Sequence, residues 1–122
     1  MSYTLQVQNA SPYAWAGNDG AIVPPGAIWT PQQEPLGNAW IKSDELGTLN
    51  FLDLGDNHIP GDSGETWGVL ISYQGEEMVG RYEGGGQLRA QINPYGQVQL
   101  SGNMDIRQVS LPSFVQQSPT FE

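Results

Sequence analysis

From Tyr3 to Asn9 apolar and polar side chains alternate: Tyr3, Leu5 and Val7 fall on one face, Thr4, Gln6 and Gln8 on the other. A period of two is the mark of a half-buried β-strand. The same alternation returns in Gln87–Asn93, where Leu88, Ala90 and Ile92 oppose Gln87, Arg89 and Gln91, and in Gln97–Ser101 with Val98 and Leu100. Short strands are also expected over Ala21–Val23, Ala27–Thr30, Asn38–Ser43 and Leu46–Leu54. Thr66–Gln74 sets Val69, Ile71 and Tyr73 on one face and Leu70 on the other, the pattern of a strand covered on both sides. Met78–Glu83 is expected to pair back across a Gly75-Glu76-Glu77 turn. Met104–Leu111 begins with Met104 and Ile106 in phase and then shifts to Val109 and Leu111, which predicts a bulge near Arg107-Gln108.

Turn-forming residues separate these runs: Gly17-Asn18-Asp19-Gly20, Pro24-Pro25-Gly26, Gly84-Gly85-Gly86 and Pro94-Tyr95-Gly96, with a longer loop over Gly55–Glu65. No apolar 3.6-residue period persists beyond two turns, and no internal repeat is visible. The expectation is an all-β domain, an antiparallel barrel or sandwich of about nine or ten short strands. It spans residues 1–111 and is followed by a Ser/Gln/Pro-rich tail over 112–122.

Composition narrows the chemistry. A chain of 122 residues fits one domain large enough to hold its own core. Sixteen Gly, nine Pro and a charged fraction of 14% point away from surface helices. With no Cys, disulfides and thiolate metal sites are excluded. Four basic residues stand against thirteen acidic ones, a formal net charge of −9. Lys42, Arg81, Arg89 and Arg107 are scattered, so no basic stripe exists for a phosphate backbone, and nucleic acid is not an expected partner. No segment has the length and apolarity of a membrane-spanning helix. The start, Met1-Ser2-Tyr3-Thr4, lacks the basic and apolar regions of a secretory signal. A cytoplasmic location, or release without a classical signal, is therefore expected.

Several motifs invite a catalytic or metal reading. Gly61-Asp62-Ser63-Gly64 looks like the nucleophile loop of chymotrypsin-like proteases, but that chemistry needs a positioned His base and a buried Asp. The only histidine, His58, lies in the same loop, so a surface turn is the better reading and no catalytic residue is assigned. Asp53, Asp56, Asp62 and Glu65 form an acidic cluster able to offer calcium oxygen ligands, but their spacing fails the EF-hand pattern, so an ordinary solvated loop is the better reading and no metal site is assigned. The Gly84–Gly86 run precedes a strand, whereas a phosphate-cradling loop precedes a helix. Asn9-Ala10-Ser11 matches the glycosylation sequon and is read as chance. Four tryptophans, Trp15, Trp29, Trp40 and Trp67, are many for this length. Some belong to the core. An exposed one beside amides and carboxylates has the makings of a sugar site, the ring stacking on the C–H face and the polar groups accepting hydroxyl protons. Trp15 is the exposed candidate, close in sequence to Tyr13, Gly17, Asn18 and Asp19.

One set of segments resembles the high-mannose-binding agglutinin family of cyanobacteria and myxobacteria. Asp62-Ser63-Gly64-Glu65-Thr66, then Ile71-Ser72-Tyr73-Gln74-Gly75-Glu76, then Val79-Gly80, are similar in order and spacing to that family's Asp-Gly-Gly-Lys-Thr and Met-Thr-Tyr-x-Gly-Glu-Gly-Pro-Ile-Gly segments. Val7-Gln8-Asn9 and Pro25-Gly26-Ala27-Ile28-Trp29 look like its Val-Gln-Asn and Pro-Gly-Gly-Leu-Trp. The resemblance implies a compact barrel with sugar sites at its ends and gives Gly75 and Glu76 a role in glycan binding. The chain departs from the family at Glu77-Met78, where the family has Gly-Pro, and at Ala10-Ser11-Pro12, where it has Trp-Gly-Gly. In overall layout the chain is also similar to aegerolysin-type β-sandwich proteins, which bind membrane lipids.

The expectation is therefore a non-enzymatic carbohydrate-binding, lectin-like domain that needs no cofactor and has a glycan or glycoprotein as partner. Its ligand would be held by Tyr13, Trp15, Asn18, Asp19, Gly75 and Glu76. The alternatives are an aegerolysin-like, lipid-binding or toxin-associated β-sandwich, and a structural module of a phage or secretion system.

Overall fold

The computed structural model describes residues 3–31, 38–55, 67–82, 86–103, 105–106 and 114–115. Among them the chain forms strands and turns only. The strands are β1 (Tyr3–Asn9), β2 (Trp15–Gly17), β3 (Ile22–Val23), β4 (Ile28–Trp29), β5 (Asn38–Ser43), β6 (Gly47–Gly55), β7 (Trp67–Tyr73), β8 (Glu76–Tyr82), β9 (Gly86–Ile92), β10 (Val98–Gly102), β11 (Asp105–Ile106) and β12 (Phe114–Val115). A five-stranded sheet runs β12-β10-β9-β1-β4, and a seven-stranded sheet runs β11-β8-β7-β6-β5-β2-β3. Among the described residues each sheet ends in two edge strands and does not close on itself, so the architecture is a sandwich and not a closed barrel.

The period-two patterns are realised as burial. β1 and β5 alternate strictly, with Leu5, Val7, Ala39 and Ile41 inward. Phe51, Ile71, Leu88 and Ile92 join them in one core shared by both sheets. Leu70, expected to lie under a second layer, is half-buried on the outer side of the larger sheet.

The pairing is not wholly antiparallel, contrary to expectation. β1 lies parallel to β9 along its whole length, from Tyr3 beside Gly86 to Asn9 beside Ile92, and β10 lies parallel to β12. A parallel pair needs a long crossover. Here the chain between β1 and β9 builds β4 and most of the larger sheet. β11 falls within the strand expected over Met104–Leu111 and pairs with β8, while two short strands were not expected: β2, and β12, which docks Phe114–Val115 of the expected tail against β10. The rest of that tail, the bulge expected at Arg107-Gln108 and Gly84-Gly85 lie outside the described residues.

Two turns show why these residues reverse the chain. Pro25 and Gly26 sit between Pro24, whose carbonyl accepts from Ala27 N at 3.0 Å, and Ala27; Gly26 takes φ +90°, as the third position of a type II turn requires. Gln74 (φ 52°) and Gly75 (φ 79°) form a two-residue hairpin turn with both central residues at positive φ. The turn was expected one residue later. Glu76 and Glu77 instead begin β8, with Glu76 opposite Tyr73 and Glu77 opposite Ser72.

Candidate functional site

Trp15, expected to be exposed, is only 1% exposed and belongs to the core. A buried polar network explains this. Asn9, at the end of β1, is 0% exposed; its Nδ2 donates to the Tyr13 carbonyl (2.8 Å) and the Val23 carbonyl (3.0 Å). Its Oδ1 accepts from Ser11 N (3.1 Å) and Ser11 Oγ (2.5 Å). Ser11 Oγ in turn accepts the indole N–H of Trp15 at 3.1 Å. The polar residues before Trp15 satisfy the indole from within. Asn9 Nδ2 is committed to the same network, so the sequon there presents no accessible acceptor.

Asn18 and Asp19 also act on the fold. Asn18 N donates to the Trp40 carbonyl (2.9 Å), while its side chain accepts from Trp40 N (3.2 Å) and donates to the Asn38 carbonyl (2.9 Å). An amide side chain thereby continues the β2–β5 ladder one step past the last paired residue. Asp19 accepts the indole N–H of the buried Trp29 at 3.1 and 3.3 Å, and also accepts from Ala21 N at 3.1 Å. Tyr13 is half-buried beside the Asn9 network.

Gly75 and Glu76 stand apart from that group. β8 is four places from β2 in the order β2-β5-β6-β7-β8. At ~4.8 Å per strand, Glu76 lies roughly 19 Å across the sheet from Gly17 and its neighbours. The expected site residues therefore do not converge on one ligand. Of the expected acidic cluster, Asp56, Asp62 and Glu65 lie outside the described residues, as do His58 and Ser63. Asp53 is half-buried near Tyr3 and Tyr82, whose rings are 6.0 Å apart. The Tyr82 hydroxyl approaches Asp53 without completing a hydrogen bond; burial and then that carboxylate push its pKa up to about 12. Burial, the Asp53 charge and Tyr82 raise Tyr3 further still.

The arrangement that does bring chemistry together is on the outer face of the larger sheet. Trp40 shares the outward side of β5 with Asn38 and Lys42, and it is half-buried. The register continues from Trp40 to Asn50, from Asn50 to Ser72 and from Ser72 to Glu77. An indole thus sits at one end of a row of amide, hydroxyl and carboxylate, with Asn18 on its other side. Three strand spacings make this row roughly 14 Å long. Among the described residues none accepts the Trp40 indole N–H. No known family, curated protein or solved structure matches the chain. The site is therefore read from its own geometry.

Trp40 was not among the expected site residues, yet the signal was present. In Asn38-Ala39-Trp40-Ile41-Lys42-Ser43 it occupies the same parity as Asn38 and Lys42, the polar side of an alternating strand. Glu77 was set aside in favour of Glu76. On β8, Gly80 and Tyr82 are buried and Met78 packs on the core, so Glu76 shares the inward parity and Glu77 the outward one.

Proposed function

We propose that this chain is a non-enzymatic carbohydrate-binding domain whose site is the outer face of the larger sheet around Trp40. The observation that carries the reading is the half-buried indole on the outer face in line with Asn50, Ser72 and Glu77. A sugar ring offers an apolar C–H face to an aromatic plane and hydroxyls to amide and carboxylate acceptors. The row supplies both kinds of group, and its length exceeds one sugar ring, which favours an oligosaccharide. Lys42 and Arg81 border the same face, so it does not repel ligands by uniform negative charge. Among the described residues the exposed large apolar side chains, Ile22, Ile28, Leu52 and Tyr95, are dispersed over separate strands and a turn and so give little support to a membrane-docking patch.

A glycan array followed by calorimetry with the bound oligosaccharide tests this. Binding should change the tryptophan emission, and Trp40→Phe should remove that change. Trp40→Ala should weaken binding at least tenfold, about 1.4 kcal/mol, with the melting temperature held within a few degrees. Glu77→Ala should weaken binding and Glu76→Ala should not. Full binding by Trp40→Ala, or vesicle binding that no sugar competes away, defeats the proposal.

A further inference from the structure

The smaller sheet carries a second surface of different character. Thr4, Gln6 and Gln8 of β1 face outward, as do Gln87, Arg89 and Gln91 of β9 and Gln99 and Ser101 of β10. The parallel register sets Thr4 beside Gln87, Gln6 beside Arg89 and Gln8 beside Gln91, and β10 adds Gln99 beside Gln91 and Ser101 beside Arg89. Gln91 Nε2 donates to Gln8 Oε1 at 3.4 Å, one rung of an amide ladder. These eight positions hold no carboxylate, in a chain with thirteen acidic residues against four basic ones. An open groove of about 290 Å³ lies here, lined by Thr4, Gln6, Thr30, Gln87 and Arg89 above Leu5 and Leu88. The leucine side chains are turned into the core, 2% and 1% exposed, so hydroxyl, amide and guanidinium groups form the walls.

We infer that this groove binds the carboxylate of an acidic saccharide unit, a uronic or sialic acid. Arg89 is the one cation among its lining residues. A guanidinium has five N–H donors in a fork that fits a carboxylate edge. Arg89 is also engaged within the fold, and five donors serve more than one partner. The flanking amides of Gln6 and Gln87 and the hydroxyls of Thr4 and Thr30 both donate and accept, as ring hydroxyls do, and so they match a sugar better than a bare anion. The net charge of −9 disfavours polyanions and dianionic phosphate, leaving a singly charged carboxylate as the complementary ligand. The inference stands on this groove and does not depend on the Trp40 face, which belongs to the other sheet.

The test compares methyl glucuronide with methyl glucoside, which differ at one carbon as carboxylate against hydroxymethyl, in an amide-shift titration of the full chain. The glucuronide should bind at least tenfold more tightly and shift Gln6, Gln87 and Arg89 but not Trp40. Salt should weaken it. Arg89→Gln should abolish the preference while the chain stays folded, its melting temperature lowered by no more than the loss of an exposed contact, and Arg89→Lys should restore only part of the preference because the fork is lost. Gln87→Ala should weaken both sugars alike. Equal binding of the two glycosides, shifts located elsewhere, or equally tight binding of inorganic phosphate or of phosphatidylserine vesicles at this groove would overturn the assignment.

Discussion

Replacing Asn9 by aspartate exchanges one NH₂ group for an oxygen, and the structure makes that exchange severe. The new oxygen would stand where Nδ2 now donates to the Tyr13 and Val23 carbonyls at 2.8 and 3.0 Å. Two donor–acceptor contacts become acceptor–acceptor contacts, in a place where the side chain is 0% exposed. Each buried group left without its partner costs about 1–3 kcal/mol, and the carboxylate adds its own desolvation. A loss of ~3–5 kcal/mol at pH 7 follows, a large part of the roughly 5–15 kcal/mol that holds a small domain folded. Burial and the facing carbonyls raise the variant's folded pKa above the unfolded value of about 3.9. The folded state then binds more protons between those two values, so stability falls as pH rises through that window and is regained as pH drops toward 4. Asn9→Ala removes the same bonds without introducing a titrating group, so its deficit relative to the parent should not shrink in acid. Urea denaturation of the parent and both variants at pH 7 and pH 4 measures this. If Asn9→Asp lies within ~1 kcal/mol of the parent at pH 7, or its deficit is the same at both pH values, the network does not work as described.

Two further outcomes follow from the tryptophan and tyrosine environments. A Cβ on Gly17 would stand 2.7 Å from Asp19 Oδ1 and 2.8 Å from Trp29 Nε1. Asp19 can swing away into solvent but the buried indole cannot, so Gly17→Ala should strand the Trp29 N–H and cost about 1–3 kcal/mol in a thermal melt; an unchanged melt refutes it. Tyr73 and Tyr82 are pushed up to about 12, chiefly by burial, and Tyr3 is raised as well. Folding favours their protonated forms, so their contribution is fully present below about pH 10 and is lost as pH rises toward 12, by up to ~1.4 kcal/mol per unit for each. Tyr82→Phe should flatten that alkaline slope at little cost near pH 7, because its hydroxyl lacks a completed bond. Tyr73→Phe gives up the bond to the Gly96 carbonyl and should cost about 1 kcal/mol.

The strands were legible because their signal is local. Alternation located β1, β9 and β10 to within a residue, and Pro25-Gly26 marked its turn. The partnership of β1 with β9 left no such mark, because parallel pairing depends on a crossover through the other sheet and not on any residue in either strand. The β7–β8 turn was displaced by one residue because Gln74 adopts φ 52°, which few non-glycine residues do. In a strand a displacement of one residue exchanges the faces. Glu76 was expected as the acidic ligand from the resemblance; the observed register gives it the inward parity of β8 and Glu77 the outward one.

The error over Trp15 is of another kind, and it bears on where a ligand binds. Polar residues near a tryptophan in sequence were taken as a sign of exposure. In the structure Ser11 and Asp19 are the internal acceptors that allow Trp15 and Trp29 to be buried with their N–H groups satisfied. The acceptor of Trp15 is near in sequence, four residues before it, whereas that of Trp29 lies ten residues before it and is brought in by the fold. Trp40 is surrounded differently: Asn50, Ser72 and Glu77 reach its row from separate strands, and Asn18 binds its backbone, not its ring. Residues assembled from three strands beside a half-buried indole are not needed to satisfy it. Their alignment sets amide, hydroxyl and carboxylate groups beside an aromatic plane on the outer face, and the proposed sugar site rests on that alignment.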